Sequence, residues 1–279
     1  MKATEACRPC LIRLVHQAAE RATEDPALRA TAIEEGLKLL NREFSLQKTS
    51  IYVSTRLHRV IRSVTGNPDP YLQMKETEIR MAKELLKTQK SNPGRDLRSC
   101  LEFAVRGNSI DFFRDLKTIE QDLTRPVEFV KDDSAKLETV LKRIKAILYL
   151  ADNAGEVLFD IPLVRVLEDI APVTYVVKES PVQNDITLAN LKHFGMFREL
   201  SRVITTGTDT PGVEISMASA EFKEEFENTD LVLAKGMGYW ETLSELPAEG
   251  KVFYLLKAKC QPVAGSLGVP LNSCVALLR

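Results

Sequence analysis

Acidic and amide side chains gather directly after an apolar stretch in the middle of the chain. Residues 147–151 form an apolar run of strand length, and Asp152, Asn153 and Glu156 follow it. Carboxylate and amide oxygens are hard ligands, which favour magnesium or manganese over zinc. In an open α/β sheet, ligands bind at the carboxyl ends of the strands. The segment therefore predicts a cation site at a strand end.

Polar residues follow the later apolar runs in the same way. Asp185 comes shortly after the run 173–177 and is a candidate third metal ligand, beside Asp152 and Asn153. Lysines at such positions can neutralise phosphate oxygens, and glycines let backbone N–H groups approach an anion. The residues with these roles are Lys235, Lys259, Gly207, Gly236 and Gly238. A bound cation could polarise phosphorus and activate water, so this set predicts phosphoryl chemistry.

Each feature also has a purely structural explanation. Asn153 with Glu156 three residues later is typical of a helix N-cap with a capping box, and Asp185 precedes a helical pattern that it could cap. Most lysines lie on protein surfaces. The glycine pair after the fourth run lacks the third glycine of the dinucleotide fingerprint, where Glu241 stands. The repetition of polar groups at successive strand ends nevertheless favours a site.

Apolar runs of strand length alternate with helical patterns in the second half of the chain. Such alternation predicts an α/β fold with a mostly parallel sheet and helices on both faces, a Rossmann-like three-layer α/β/α domain. The runs are 147–151, 173–177, 202–206, 231–234, 252–256 and 274–278. Residues 1 to about 130 instead show successive apolar stripes at helical spacing. We expect a helical domain over 1–133 and an α/β metal-binding catalytic domain over 134–279.

The composition is that of an ordinary globular protein. The 279 residues are 44% hydrophobic and 28% charged, with a net charge of -1. No global positive field exists to hold nucleic acid or an anionic membrane. No apolar run approaches the length of a membrane span, and the first residues lack the apolar core of a signal peptide. We therefore expect a cytoplasmic protein with neither nucleic acid nor membrane as a partner; the oligomeric state does not follow from the sequence.

The cysteines are too few and too scattered for a disulfide framework. Only Cys7-x-x-Cys10 has a suggestive spacing. A thiolate metal site normally needs four ligands, and no second CxxC is present. Both cysteines lie on the apolar stripe of the first helical pattern, and free cysteine is often buried. Burial in the core is therefore expected for both, with a redox or metal role as the alternative.

Short motifs along nearly the whole chain match one known family in order. They are Cys7-x-x-Cys10, GNPDPY at 66–71 with Lys75, GNSIDF at 107–112, DNAGE at 152–156, ND at 184–185, KGxG at 235–238, ETL at 241–243 and LKAKC at 256–260. Each motif alone is short, but the ordered set is specific. The sequence resembles the metal-dependent damage-control phosphatases, a former domain-of-unknown-function family, and within it the CxxC-containing subfamily I of archaeal and bacterial proteins.

The resemblance implies a helical N-terminal region on an α/β domain that holds one divalent metal: manganese, nickel, cobalt or magnesium. The family's metal ligands match Asp152, Asn153 and Asp185. The implied activity is hydrolysis of phosphate monoesters of small phosphometabolites, such as damaged or surplus sugar phosphates or nucleotides. Lys235 or Lys259 would then steady the phosphate. Further candidate residues lining the site are Asp69, Asn108, Asp111 and Glu241.

The chain departs from this family at one motif. Where the family commonly has Gly-Gln-Gly-Asn-Phe-Glu, this chain has Met237 and Tyr239 in place of the two amide residues. The loss of hydrogen-bonding groups at a pocket edge predicts altered substrate choice. The proposed metal ligands are unchanged.

Two other functions fit parts of the sequence. A Rossmann-like sheet also suits transferases that bind nucleotides or S-adenosylmethionine. Those need a glycine-rich first turn, whereas the turn at 152–156 is acidic and has one glycine. The third possibility is a non-catalytic metal-binding or partner-binding protein in which Cys7-x-x-Cys10 is the working element. The whole set of motifs favours the phosphatase.

Overall fold

The structure is a computed structural model that describes residues 1–88, 93–109, 125–247 and 250–279. Within these ranges the chain begins with the helices α1 (Cys7–Ala22), α2 (Pro26–Glu43), α3 (Ser50–Thr65), α4 (Leu72–Thr88) and α5 (Leu97–Gly107). Strands and helices then alternate: β1 (Phe129–Asp132), α6 (Ser134–Leu141), β2 (Ile147–Leu150), α7 (Val157–Glu168), β3 (Val173–Val177), α8 (Leu188–His193), β4 (Arg202–Thr205), α9 (Ala220–Asn228), β5 (Leu231–Lys235), α10 (Met237–Leu243), β6 (Val252–Lys257), α11 (Gln261–Leu267) and β7 (Cys274–Leu278). A short 3₁₀ helix, Ala154–Glu156, joins β2 to α7.

Helices α1, α2 and α3 pack around one apolar core. Local signals set the limits of α3. The Thr49 side chain caps its start, and Gly66 ends it with a φ of 69°, a left-handed conformation that glycine adopts without strain. Val15, Leu57 and Ile61 are fully buried between these helices. The apolar stripes of the sequence therefore correspond to a helical core of their own.

Within the described residues the sheet has seven strands in the order β1-β7-β6-β5-β2-β3-β4. The strands from β6 to β4 are parallel neighbours, β7 runs antiparallel to β6, and β1 pairs in parallel with β7. The chain leaves β2 toward β3 and later returns to β5 on the other side of β2. The gap between β2 and β5 is thus the switch point at which ligands bind in open α/β sheets. The predicted α/β class with a mostly parallel sheet is confirmed.

Successive side chains of the central strands point to opposite faces of the sheet. Ile147 and Tyr149 of β2 belong to the core shared with α5 and α7. Leu148 and Leu150 belong to the core shared with α9, α10 and α11. Helices therefore cover both faces, which makes three layers.

The sheet begins before the predicted domain boundary. β1 lies within the region 1–133 that was predicted to be helical, yet it pairs with β7. The sequence pattern missed β1 because this four-residue edge strand alternates half-buried with exposed residues. Helix α5 also packs on α7, with Leu101 and Ala104 in the core of the sheet. The division of the chain into two domains stays a prediction, and β1 belongs to the sheet although it lies before the predicted boundary.

No helix in the described parts of the chain is both long enough and apolar enough to cross a lipid bilayer.

Candidate active site

The turn after β2 and the segment after β3 lie side by side. The Ile186 N–H donates to the Asp152 carbonyl (2.9 Å). The backbones of Asn153 and Asp185 form an antiparallel bridge. The structure thus brings together the three predicted metal ligands at the carboxyl ends of adjacent strands.

The capping alternatives for these ligands are wrong. The Asn153 side chain makes no capping hydrogen bond at the 3₁₀ helix. Asp185 does not cap α8, because Thr187 does so: its hydroxyl accepts a hydrogen bond from the Asn190 N–H (3.1 Å). Neither side chain is therefore used as a helix cap.

A cavity of about 320 Å³ opens beside Asp152, Asn153 and Asp185. This volume suits a small organic ligand. The Glu241 carboxylate accepts a hydrogen bond from the Ser50 hydroxyl, and burial raises the pKa of Glu241. The other predicted residues on the cavity wall are Asn108, Lys259, Cys7 and Cys10. Most of the predicted site residues therefore meet at one place.

The carboxylates at the cavity repel one another. Burial raises the pKa of Asp152 well above its usual range, and the charges of Glu156 and Asp185 raise it further. Burial also raises the pKa of Asp185 to about 6, although Lys178 and Lys75 oppose this shift. A cation between Asp152 and Asp185 would favour the charged form of both.

The Asp185 carboxylate also has an unused acceptor. Its Oδ2 accepts no hydrogen bond from the described residues, and Lys178 Nζ lies 3.5 Å away. In the described part of the chain, no group of three or more His, Cys, Asp or Glu side chains is arranged to hold a metal. A cation would here use two carboxylates and the Asn153 amide, a hard-oxygen set. The unused oxygen and the raised pKa values fit such an ion.

Glu156 is the centre of a buried polar network behind these ligands. Its carboxylate accepts hydrogen bonds from Asn153 Nδ2 (2.7 Å), from Lys235 Nζ (2.9 Å) and from Asn108 Nδ2. Burial alone would raise the pKa of Glu156, but Lys235 and Lys259 hold it below its usual range. Because the amide nitrogen of Asn153 is engaged, its oxygen is the atom left to bind a cation. Glu156 thus fixes the orientation of Asn153, a predicted metal ligand, and does not act as part of a capping box.

Lys235 does not reach the cavity. It is fully buried and pairs with Glu156 and with Asp160 (2.7 Å). Side chains two apart on a strand share a face, and Lys235 lies on the face of Leu233, which packs toward α7. Its predicted place beside the phosphate does not fit this position. Lys259 lines the cavity instead.

Lys178 is a buried cation that the sequence analysis did not single out. It follows β3 and donates hydrogen bonds to the Tyr239 hydroxyl (3.0 Å) and to the Gly212 carbonyl. The Tyr239 hydroxyl donates to the Ala151 carbonyl (3.1 Å). The only sequence signal for Lys178 is its position after a strand, next to the segment that carries Asp185.

Two predicted lining residues are placed elsewhere. Asp69 accepts a hydrogen bond from the buried Lys75 (3.0 Å) and does not line the cavity. Asp111 lies outside the described residues. Helix α4 contributes behind the lining through a residue that the sequence did not indicate. The buried Glu78 carboxylate accepts a hydrogen bond (2.9 Å) from Nδ2 of Asn184, which lines the cavity.

Gly236 lets the turn after β5 approach Asp152. Its φ is 79°, and a Cβ at this position would lie 1.8 Å from Asp152 Oδ2. Both the backbone conformation and the close contact exclude larger residues. Glycine is therefore required here so that the turn can lie against the Asp152 carboxylate. Its presence does not indicate a dinucleotide-binding motif.

The two cysteines of the CxxC motif have different surroundings. Cys7 is buried, as expected. Cys10 is exposed and lines the cavity, so the expectation of core burial is wrong for it. The reason is that the first turns of α1 extend past the helical core and border the cavity. Cys260, at the start of α11, lines the same cavity.

The chain is similar to known proteins along nearly its whole length. Residues 3–275 match the family model for the damage-control phosphatase ARMT1-like domain. A damage-control phosphatase of Pyrococcus horikoshii is 34% identical, over 99% of this chain and 98% of that protein. A damage-control phosphatase of Archaeoglobus fulgidus is 28% identical, over 99% of both. The crystal structure of a DUF89 family protein from P. horikoshii at 2.04 Å resolution has a TM-score of 0.89 and 33% identity, and the match covers 100% of this chain and 99% of that chain.

Proposed function

The chain belongs to the ARMT1-like damage-control phosphatase family, and we propose that its phosphatase activity depends on a divalent cation held by Asp152, Asn153 and Asp185. The surroundings of the two carboxylates support the requirement for a metal. The two carboxylates have raised pKa values, and an oxygen of Asp185 accepts no hydrogen bond from the described residues. Manganese, nickel, cobalt and magnesium are the candidate ions. When bound, the ion supplies Lewis-acid chemistry at the phosphoryl group.

The protein side chains hold both the ligands and the ester. Glu156 orients the Asn153 amide, and the turn at Gly236 lies against the Asp152 carboxylate. Lys259 lines the cavity, where its ammonium can neutralise phosphate oxygens. Hydrolysis breaks the bond between phosphorus and the alcohol oxygen. A water oxygen takes the place of the alcohol on phosphorus, and the departing alcohol gains a proton from that water.

The substrate in this proposal is a small phosphate monoester that fits a cavity of about 320 Å³. Damaged or surplus sugar phosphates and nucleotides stay the substrates predicted from the resemblance. The cytoplasmic location and the absence of a nucleic-acid partner also stay predictions. A transferase that binds a nucleotide or S-adenosylmethionine is not favoured, because the named relatives are phosphatases.

Phosphate release from small esters tests the metal requirement. We expect chelation to abolish release and the return of one of the four metals to restore it. Asp152→Asn and Asp185→Asn should each lower kcat/KM by more than about a hundredfold, because each removes a proposed ligand. The exposed Asp169→Asn is the matched control and should retain activity. Activity that survives both chelation and Asp152→Asn contradicts the proposal.

Thermal unfolding provides a second measurement that does not depend on turnover. An ion at about a hundred times its Kd stabilises the folded protein by about 2.7 kcal/mol. We therefore expect the metal to raise the Tm of the wild type and not of Asp152→Asn. In chelator the same variant should be at least as stable as the wild type, because it removes one of the repelling charges. The absence of any metal-induced rise in the wild type would argue against a metal site.

A further inference from the structure

The cavity lining is polar in one part and apolar in another. The polar part contains the strand-end residues Asp152, Asn153 and Asp185. The other polar side chains of the lining are Asn108, Gln183, Asn184 and Lys259, with Ser50, Ser54 and Glu241 on α3 and α10. The apolar part comes from α1, α3, α4 and α10. Its side chains are Cys10, Leu11, Leu14, Ile51, Met74 and Met237, and we call them the apolar wall. Charged and polar groups hold a phosphate. The six side chains of the wall supply none, so they would contact another part of a ligand.

Helix α1 shows that this apolar surface is built into the chain. Cys7, Cys10, Leu11 and Leu14 are spaced to share one helix face, and all four line the cavity. Farther along the same helix, Val15 is fully buried against α2 and α3. Leu11 and Leu14 thus belong both to the helical core and to the cavity lining, and Cys7 and Cys10 extend the apolar stripe beyond that core.

The cysteines contribute to the wall as neutral thiols. Cys10 of the wall and Cys260 beside it line the cavity, where partial loss of surrounding water raises the pKa of Cys10 and raises that of Cys260 to about 11. An un-ionised thiol behaves as a small hydrophobic group. In the un-ionised state Cys10 and Cys260 therefore add to the apolar surface of the cavity.

Met237 extends the apolar surface at the start of α10. Its Sδ accepts a hydrogen bond from the Lys259 N–H (3.1 Å). The remaining atoms of its side chain are hydrocarbon. Met237 therefore offers a ligand apolar contact where a glutamine would offer hydrogen bonds.

We propose that the alcohol half of the substrate is mainly apolar, with the phosphate at the strand ends and an alkyl or aryl group against the apolar wall. This inference rests on the proposed phosphatase function and narrows its substrate class. An apolar group gains free energy by leaving water for this wall. Sugar hydroxyls placed against the six side chains of this wall would lose water without gaining hydrogen-bond partners from them. Selectivity therefore favours apolar phosphate monoesters over those of polyhydroxylated alcohols.

Steady-state hydrolysis of hexyl phosphate and glucose 6-phosphate tests the preference, because the two esters have equal carbon counts. We expect kcat/KM to be at least about tenfold higher for hexyl phosphate, which corresponds to burial of two methylene groups. Met237→Gln and Leu14→Asn should reduce this ratio, whereas the exposed Ile170→Gln should leave it unchanged. Equal or faster hydrolysis of glucose 6-phosphate by the wild type would overturn the proposal.

Calorimetric binding of phosphonates, which are not hydrolysed, separates this inference from the phosphatase function. We expect the metal-loaded wild type to bind hexylphosphonate more tightly than methylphosphonate, and Leu14→Asn to lose that difference. Equal binding of the two phosphonates by the wild type would overturn the apolar wall, even if the protein is a phosphatase. Tight hexylphosphonate binding without hydrolysis of any ester would support the wall and count against the proposed activity.

Discussion

Tyr239 shows how a single residue connects two strand ends at the site. Its hydroxyl donates to the Ala151 carbonyl after β2 and accepts a hydrogen bond from Lys178 after β3. The Lys178 ammonium also lies 4.4 Å from the centre of the Tyr239 ring. Lys178 in turn lies 3.5 Å from the Asp185 carboxylate. The phenol therefore positions a buried cation next to a proposed metal ligand.

Tyr239→Phe removes this hydroxyl and keeps the ring. We expect the free energy of unfolding to fall by about 1–3 kcal/mol, because a buried carbonyl and a buried ammonium each lose a hydrogen bond. Tyr254→Phe is the matched control, since the buried Tyr254 hydroxyl has no hydrogen-bond partner among the described residues. The control should lose no stability. Urea unfolding measures both changes, and equal losses for the two variants would refute the role of Tyr239.

The turns after β2, β3 and β5 carry the residues of the site. The sequence predicted where these turns lie better than it predicted where their side chains point. Apolar runs marked the strands, and parallel strands that end at one edge explain why Asp152 meets Asp185. The face of the sheet on which each lysine side chain lies was harder to predict. Lys235 continues the face of Leu233, whereas Lys178 continues the face of Val176. That alternation is readable from the sequence, but which helices cover each face is not.

Other parts of the site depend on packing that has no local sequence signal. Glu78 of α4 accepts a hydrogen bond from Asn184, and Lys75 of α4 donates one to Asp69, which does not line the cavity. The position of Glu78 follows from how α4 lies on the 3₁₀ helix, where Gly155 approaches Glu78 closely. A glycine motif suggests a close approach, but the identity of its neighbour becomes visible only in the fold.

Gly236→Ala tests the turn between β5 and α10. The new Cβ would lie 1.8 Å from Asp152 Oδ2 in a backbone with a φ of 79°. We expect the variant to lose more than about 2 kcal/mol of stability and most of its metal affinity. Gly265→Ala is the control, because a Cβ there meets no atom within 4 Å in α11. It should be neutral or stabilising by about 0.5–1 kcal/mol. Wild-type metal affinity in Gly236→Ala, measured by calorimetry, would contradict this view of the turn.

The stability of the whole molecule at acid pH depends on two buried groups, His58 and Asp185, which change it in opposite directions as the pH falls. Burial, with the charge of Arg62, lowers the pKa of His58 to about 3. The unfolded chain takes up this proton below pH 6.5, so the stability that the neutral His58 contributes is lost as the pH falls. Asp185 acts in the other direction in metal-free protein. Its pKa is about 6 in the folded state against an ordinary 3.8, so acidification through this window stabilises the fold.

His58→Gln separates the two contributions, because Asp185 is present in both proteins and cancels in the comparison. Between about pH 8 and pH 5, we expect the wild type to lose about 2 kcal/mol more than this variant, since only the unfolded wild type gains a proton at position 58. Urea unfolding in excess chelator at both pH values measures the difference. The exposed His193→Gln should follow the wild type. If His58→Gln and the wild type lost equal stability, His58 would have to take up its proton inside the folded helical core, and its burial against Tyr71 could not be the source of acid sensitivity.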